Sequence, residues 1–201
     1  MRILIYGINF TPELTGIGKY TGELYDWLKG RGHKVRVVTA PPYYPNWKIF
    51  DGYSACNYPV KSSANGTVYK CPLWVPKSPS GIKRILHLLS FAISSLPVML
   101  GQILWRPDVV MVVEPPFFCA PTALVAGRLC GAKTLLHVQD FEVDAAFDLG
   151  LIKSSILRRI VMRAGKILLH YFDRVSTISF RMIERFAWVY VECSFIELYE
   201  I

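Results

Sequence analysis

Val109-Val110-Met111-Val112-Val113 is an unbroken apolar run, and four of its five residues are β-branched. A strand with one wet face alternates apolar and polar side chains, so a run without alternation has to be covered on both sides. Strands of that kind belong to parallel sheets sandwiched between helices. The remainder of the chain must therefore supply helices for both faces and further strands to flank this one.

It does so in alternation. Ile3-Leu4-Ile5-Tyr6 is a second short apolar run, ended by Gly7. Ile17, Tyr20, Leu24, Trp27 and Leu28 then recur at helical spacing and stop at Gly30-Arg31-Gly32, where glycine suits a left-handed cap. Val35, Val37 and Val38 form the next strand, closed by Pro41-Pro42, which completes a β-α-β unit with a right-handed crossover. Further along, a helix from Thr122 to Leu129 stops near Gly131 and leads to a strand from Thr134 to Val138. A helix from Ser155 to Tyr171 leads to a strand from Arg174 to Ile178. The expectation is α/β: a Rossmann-like, doubly wound parallel sheet.

Two stretches depart from this rhythm. Residues 41–80 hold 7 of the 13 prolines and eight aromatic residues, and read as an irregular excursion with one strand near Thr67-Val68-Tyr69. Ile85 to Trp105 carries no formal charge, long enough to raise a membrane span. His87, Ser90, Ser94 and Gly101 fall on one side of that helix and Pro97 interrupts it, which favours a buried or interfacial helix over a span. The final stretch, 187–201, has three glutamates, no Lys or Arg and no clear period. It reads as an atypical tail, a truncation or a frameshift, after a single domain over 1–186.

The formal charge of +8 favours anionic partners: phosphorylated small molecules, an anionic membrane surface or nucleic acid. Nucleic acid is disfavoured by the lack of zinc-finger spacing, RNP-like aromatics or a Lys/Arg run. Five cysteines without a C-x-x-C, after a start too short for a signal-peptide core, suggest the reducing cytoplasm. No metal-ligand spacing and no nucleophile motif occur, so neither a metal nor a cofactor is expected.

Ligands of doubly wound sheets bind beyond the carboxyl ends of the strands. After the first strand, Gly16-Ile17-Gly18-Lys19 opens a helix, where backbone N–H groups and the helix dipole can meet an anion and Lys19 can add a charge. An ordinary glycine-containing turn reads these residues equally well. A dinucleotide fingerprint fails at Thr21 and at the missing acidic residue after the second strand, and a P-loop fails at Tyr20. Glu114 ends the Val109–Val113 strand. His137 and Gln139 share one face of their strand, and Asp140, Glu142 and Asp144 follow. Such a cluster can serve acid–base chemistry or bind hydroxyls, and Asp144 also reads as a helix N-cap. On the Ser155–Tyr171 helix, Arg159, Arg163 and Lys166 flank an apolar arc, suited to an anionic membrane face or to a solvated one.

Taken together, the Gly16-Ile17-Gly18 loop, Gly32-His33-Lys34-Val35-Arg36-Val37-Val38-Thr39, Arg106-Pro107-Asp108-Val109-Val110 and the strand-end Asp140 resemble glycosyltransferase family 4. Val113-Glu114-Pro115-Pro116-Phe117 and His137-Val138-Gln139-Asp140-Phe141-Glu142 are closer still to its colanic-acid (exopolysaccharide) branch. The resemblance covers 1–186 and implies the N-terminal, acceptor-side half of a GT-B fold, with a donor-binding C-terminal domain missing. It implies metal-independent, retaining transfer from a nucleotide-sugar to a lipid-linked glycan at the cytoplasmic membrane face. Gly16, Gly18 and Lys19 would lie on the donor-phosphate side and Glu114, Gln139 and Glu142 on the acceptor side. Asp140 and His137 would be the catalytic candidates. The pattern departs at Gln139, where many members carry His directly before the aspartate. A binding module without chemistry is the alternative reading.

Overall fold

The computed structural model describes residues 1–14, 16–114, 117–139, 155–182, 184 and 198–200. Among them, eight strands form one sheet: β1 (Arg2–Tyr6), β2 (Lys34–Thr39), β3 (Val60–Ser63), β4 (Gly66–Lys70), β5 (Val109–Glu114), β6 (Lys133–Val138), β7 (Arg174–Thr177) and β8 (Leu198–Glu200). Their order is β3-β4-β2-β1-β5-β6-β7-β8, with every pairing parallel except the β3–β4 hairpin at the edge. The order reverses direction between β1 and β5, which makes the doubly wound arrangement expected from the apolar runs.

Reversal also sorts the helices. α1 (Gly16–Gly30) connects β1 to β2 in one direction across the sheet. α2 (Gly81–Trp105), α3 (Ala120–Cys130) and α4 (Ser155–Leu169) belong to connections that run the other way. Right-handed crossovers put α1 on one face and the other three on the opposite face. The core divides accordingly. Ile3, Ile5, Val35, Val37 and Met111 pack with Phe10 and Tyr25 under α1. Leu4, Tyr6, Val110, Val112 and Leu136 pack with Phe91, Met99, Leu124 and Leu169 on the other side. Neighbouring residues of β1 and β5 thus serve different cores, as an all-apolar strand requires.

The 41–80 excursion holds two strands rather than one. β3 was not legible because all four of its residues are exposed and nothing in it alternates. Its pairing partner β4 begins at Gly66, opposite Ser63, which leaves Ala64-Asn65 as a two-residue hairpin loop. The excursion is fastened to α2 by a ring cluster: Tyr43 and Trp47 lie 4.7 and 5.1 Å from the His87 ring. His87 Nδ1 and the Trp74 carbonyl are 2.7 Å apart, and burial pushes the His87 pKa down to about 4. The neutral ring therefore donates to that carbonyl.

α2 is continuous through Pro97 and lies along the sheet, not apart from it. Tyr6 Oη and Ser95 Oγ share a 2.6 Å hydrogen bond, and Arg36 donates to Gln102 Oε1 at 2.9 Å. Within the 187–201 stretch, Leu198–Glu200 extends the sheet as β8, with Leu198 in register with Val175.

Candidate functional site

The carboxyl edge of the sheet is built first by the loop after β1. At its root Gly7 lies so close to β5 that a Cβ would stand 3.1 Å from the Val113 carbonyl oxygen. The loop then places Glu13 in the interior, 2% exposed. Its Oε2 accepts from Asn9 Nδ2 at 2.9 Å, and its Oε1 accepts from the backbone N–H groups of Tyr43 and Tyr44 at 2.9 and 3.0 Å. Burial raises the Glu13 pKa, while these donors and the Lys70 charge oppose the rise. Glu13 thus ties the loop after β1 to the loop after β2. Lys70 pays the reciprocal cost, its pKa lowered by burial to about 8.

Glu13 explains one of the two glycines. A Cβ on Gly18 would lie 2.6 Å from Glu13 Oε2 and 2.7 Å from Glu13 Cβ, so Gly18 is the space that the carboxylate fills. Gly16 is different. It starts α1 at φ +58°, and a Cβ added there would meet nothing within 4 Å, so the backbone is open at a helix N-terminus. That is the geometry a helix offers to an anion. Lys19 lies in the same turn, paired with Glu23 at 3.7 Å and 5.6 Å from the Tyr20 ring centre. Glu13 does not stand out in the sequence. The available signal is a carboxylate between a proline and the glycine loop, while its backbone donors Tyr43 and Tyr44 stand 30 and 31 residues away.

At the end of β6, His137 is 6% exposed and shares a 2.8 Å hydrogen bond through Nδ1 with Ser176 Oγ of β7. The strand register sets that contact by placing His137 opposite Ser176. Burial pushes the His137 pKa down to about 4, so the ring is neutral near pH 7 and can orient or accept a hydrogen bond there. His137 and the half-buried Gln139 line a cavity of ≈ 640 Å³ together with Tyr20, Glu23, Leu24, Trp27 and Ile178. Among the described residues, the cavity offers aromatic faces, the Glu23 carboxylate and neutral polar groups, the mixture that suits a polyhydroxylated ligand. One position along β7, in register with Val138, Thr177 Oγ1 is buried with no hydrogen-bond partner among the described residues.

The structure therefore brings His137 and Gln139 to one cavity alongside α1, with Gly16 and Lys19 in the first turn of that helix. Glu114 is half-buried at the end of β5, in register with Val138 of β6. Asp140, Glu142 and Asp144 lie outside the described residues. Ser176 was missed at the sequence level, since one serine in a strand carries no signal until the register is known.

A doubly wound sheet with a glycine-opened helix, and a mostly apolar cavity edged by a few polar groups, defines an α/β domain of the Rossmann-like class. Solved structures share this architecture. Two of sucrose-phosphate synthase from Thermosynechococcus elongatus align over 100% of the chain, with TM-scores of 0.61 and 0.63 at 11% and 13% identity. They cover 89% and 48% of those chains respectively, and place the fold as a Rossmann-like half of a GT-B architecture. The chain belongs to the glycosyl transferase 4-like domain family, which matches residues 15–192. It is 51% identical over 191 residues to the Escherichia coli (strain K12) protein that carries the name colanic acid biosynthesis glycosyl transferase WcaI. That match takes in 92% of this chain and 46% of the relative, so the chain spans about half the length of the relative it matches.

Proposed function

We propose that the chain is the acceptor-side half of a retaining glycosyltransferase of exopolysaccharide assembly, close in role to colanic-acid biosynthesis. It would help move a sugar from a nucleotide-sugar to a lipid-linked oligosaccharide at the cytoplasmic face of the membrane. The observation that carries this reading is the cavity lined by His137, Gln139, Glu23, Tyr20 and Trp27, on the helix whose first residue leaves its backbone open. In the transfer, the bond from the anomeric carbon to the donor phosphate breaks and a bond to the acceptor oxygen forms. The acceptor proton leaves with the diphosphate.

Gly16 and the α1 N-terminus face the donor diphosphate, with Gly18 giving room to the Glu13 brace and Lys19 adding charge in the same turn. Gln139, Glu114 and Glu142 would hold acceptor hydroxyls, and Asp140 would be the catalytic candidate toward the reacting sugar or the acceptor hydroxyl. His137, neutral and held by Ser176, orients that edge. Stabilising the leaving diphosphate takes groups from both walls of a GT-B cleft. The 201 residues alone are therefore expected to transfer little or no sugar.

The test is mass-spectrometric detection of sugar transfer from a panel of nucleotide-sugars to lipid-linked oligosaccharide, in the 51%-identical full-length relative. Replacing the residues aligned with Asp140 and His137 should abolish and weaken transfer, respectively. Unchanged transfer in both would overturn the residue assignment. Tight donor binding by this chain without any second half would favour the binding-module reading instead.

A further inference from the structure

The outward face of α2 is apolar from end to end. Ile82, Leu86, Ile93, Leu96, Leu100 and Leu104 are all exposed, Ile82 and Ile93 to 70% and Leu104 to 89%. At about 100° per residue they fall within one arc of roughly 80°, and they run for about 33 Å along the helix. The inward face is spoken for by Phe91, Ser95, Met99 and Gln102. A soluble helix normally reverses this arrangement, keeping polar residues outside.

We infer that this face of the domain docks on an anionic lipid bilayer, with α2 lying flat in the interface and its leucine and isoleucine stripe buried among the acyl chains. Charge identifies the occupant. α2, α3 and α4 share one side of the sheet and contain seven Lys/Arg and no Asp or Glu. Arg128, Arg159, Arg163 and Lys166 are exposed there, and Val125 and Leu129 continue the apolar surface on α3. α1, on the opposite side, mixes Lys19 and Lys29 with Glu23 and Asp26. Between Asp51 and Asp108 the chain has six Lys/Arg and no acidic residue.

A second copy of the chain would bring two basic faces together, which like-charge repulsion opposes. Anionic headgroups complement the charge, at about 1 kcal/mol per basic residue near the surface. Aromatic residues flank the stripe as well. Tyr58 donates to the Ser94 carbonyl and the Trp74 backbone N–H donates to Ser90 Oγ, which sets both exposed rings along one side of α2. Tyr and Trp prefer that headgroup level. The inference shares its setting with the transferase reading but needs neither donor nor acceptor.

The test is cosedimentation of the 201-residue chain with vesicles of phosphatidylcholine containing about a third phosphatidylglycerol. Binding should be at least about tenfold tighter than to pure phosphatidylcholine, and should weaken with added salt. Ile93→Glu with Leu100→Glu should cut binding about tenfold or more with the circular dichroism spectrum unchanged. Val60→Glu, at the far sheet edge, should not. If the double glutamate variant fails to fold, Lys83→Glu with Arg163→Glu should remove the preference for anionic vesicles while leaving the stripe intact. No binding by the parent chain, or equal binding by the variants, overturns the inference. So does a concentration-dependent dimer in sedimentation velocity that Ile93→Glu with Leu100→Glu abolishes. None of these results would bear on sugar transfer, which is measured without vesicles.

Discussion

Replacing Gly18 by alanine tests whether the glycine loop is shaped by Glu13. The added Cβ would meet Glu13 Oε2 at 2.6 Å, Glu13 Cβ at 2.7 Å and the Phe10 carbonyl at 3.3 Å. Glu13 cannot swing away, since it is fully buried and three donors hold its carboxylate. Forcing a methyl into a packed site costs about 1–3 kcal/mol. Losing one hydrogen bond to a charged group adds about 1.5–3 kcal/mol. Alanine returns about 1 kcal/mol through its better helix propensity. The net expectation is a destabilisation of about 3 kcal/mol, read as a lowered midpoint in urea unfolding. Gly16→Ala is the matched control: its methyl meets nothing, so only the left-handed φ of +58° costs, about 1 kcal/mol. In a Glu13→Gly background the Gly18→Ala penalty should shrink by most of its value, a coupling that a double-mutant cycle isolates. Equal costs at Gly16 and Gly18, or an unchanged Gly18→Ala cost without the Glu13 side chain, would refute the reasoning.

Three further outcomes follow from the same structure. His87 and His137 are held at about 4, below the unfolded value near 6.5, so each contributes stability that is fully present above pH 6.5 and is lost as pH falls toward 4. The loss reaches about 3 kcal/mol per ring at most, and Glu13, whose pKa is raised, offsets part of it near the acid end. His137→Gln should therefore flatten the difference in urea midpoint between pH 7 and pH 4.5, and identical pH slopes in the two proteins would contradict the burial argument. Ser176→Ala strands the buried His137 Nδ1 and should cost about 1–3 kcal/mol in the same assay. Asp173→Ala removes bonds to the Thr134 N–H, Thr134 Oγ1 and Lys133 Nζ at 2.9, 2.9 and 2.7 Å. It should cost about 2 kcal/mol in thermal or urea melts.

The elements that were legible in the sequence are those whose signal is local. Val109–Val113 could only be a strand covered twice, and Gly32 and Gly131 stand at the positive φ values their positions after helices called for. What was illegible depends on distant partners or on exposure. β3 carries no periodicity because all four of its residues are exposed, so nothing local marked it. Gly16 and Gly18 look alike in sequence, yet one is an open helix start and the other is the space occupied by a buried carboxylate. The role of Glu13 rests on N–H groups of Tyr43 and Tyr44, and the orientation of His137 rests on a serine one strand away. α2 is apolar nearly all round, so its sequence did not reveal which side would face out. Its composition passes for a membrane span, but the Tyr6–Ser95 and Arg36–Gln102 bonds lay it along the sheet.

The central claim is that this chain forms the acceptor-side wall of a sugar-transfer cleft and needs a second wall for catalysis. The most direct measurement is a mass-spectrometric transfer assay with nucleotide-sugars and lipid-linked oligosaccharide, run with the 201 residues alone and with the remaining half of the 51%-identical Escherichia coli relative added. Glycosylated product is expected only when both halves are present, and should be lost on Gly16→Pro in this chain. Product from the 201 residues alone, or no product from any donor with both halves present and folded, would contradict the claim.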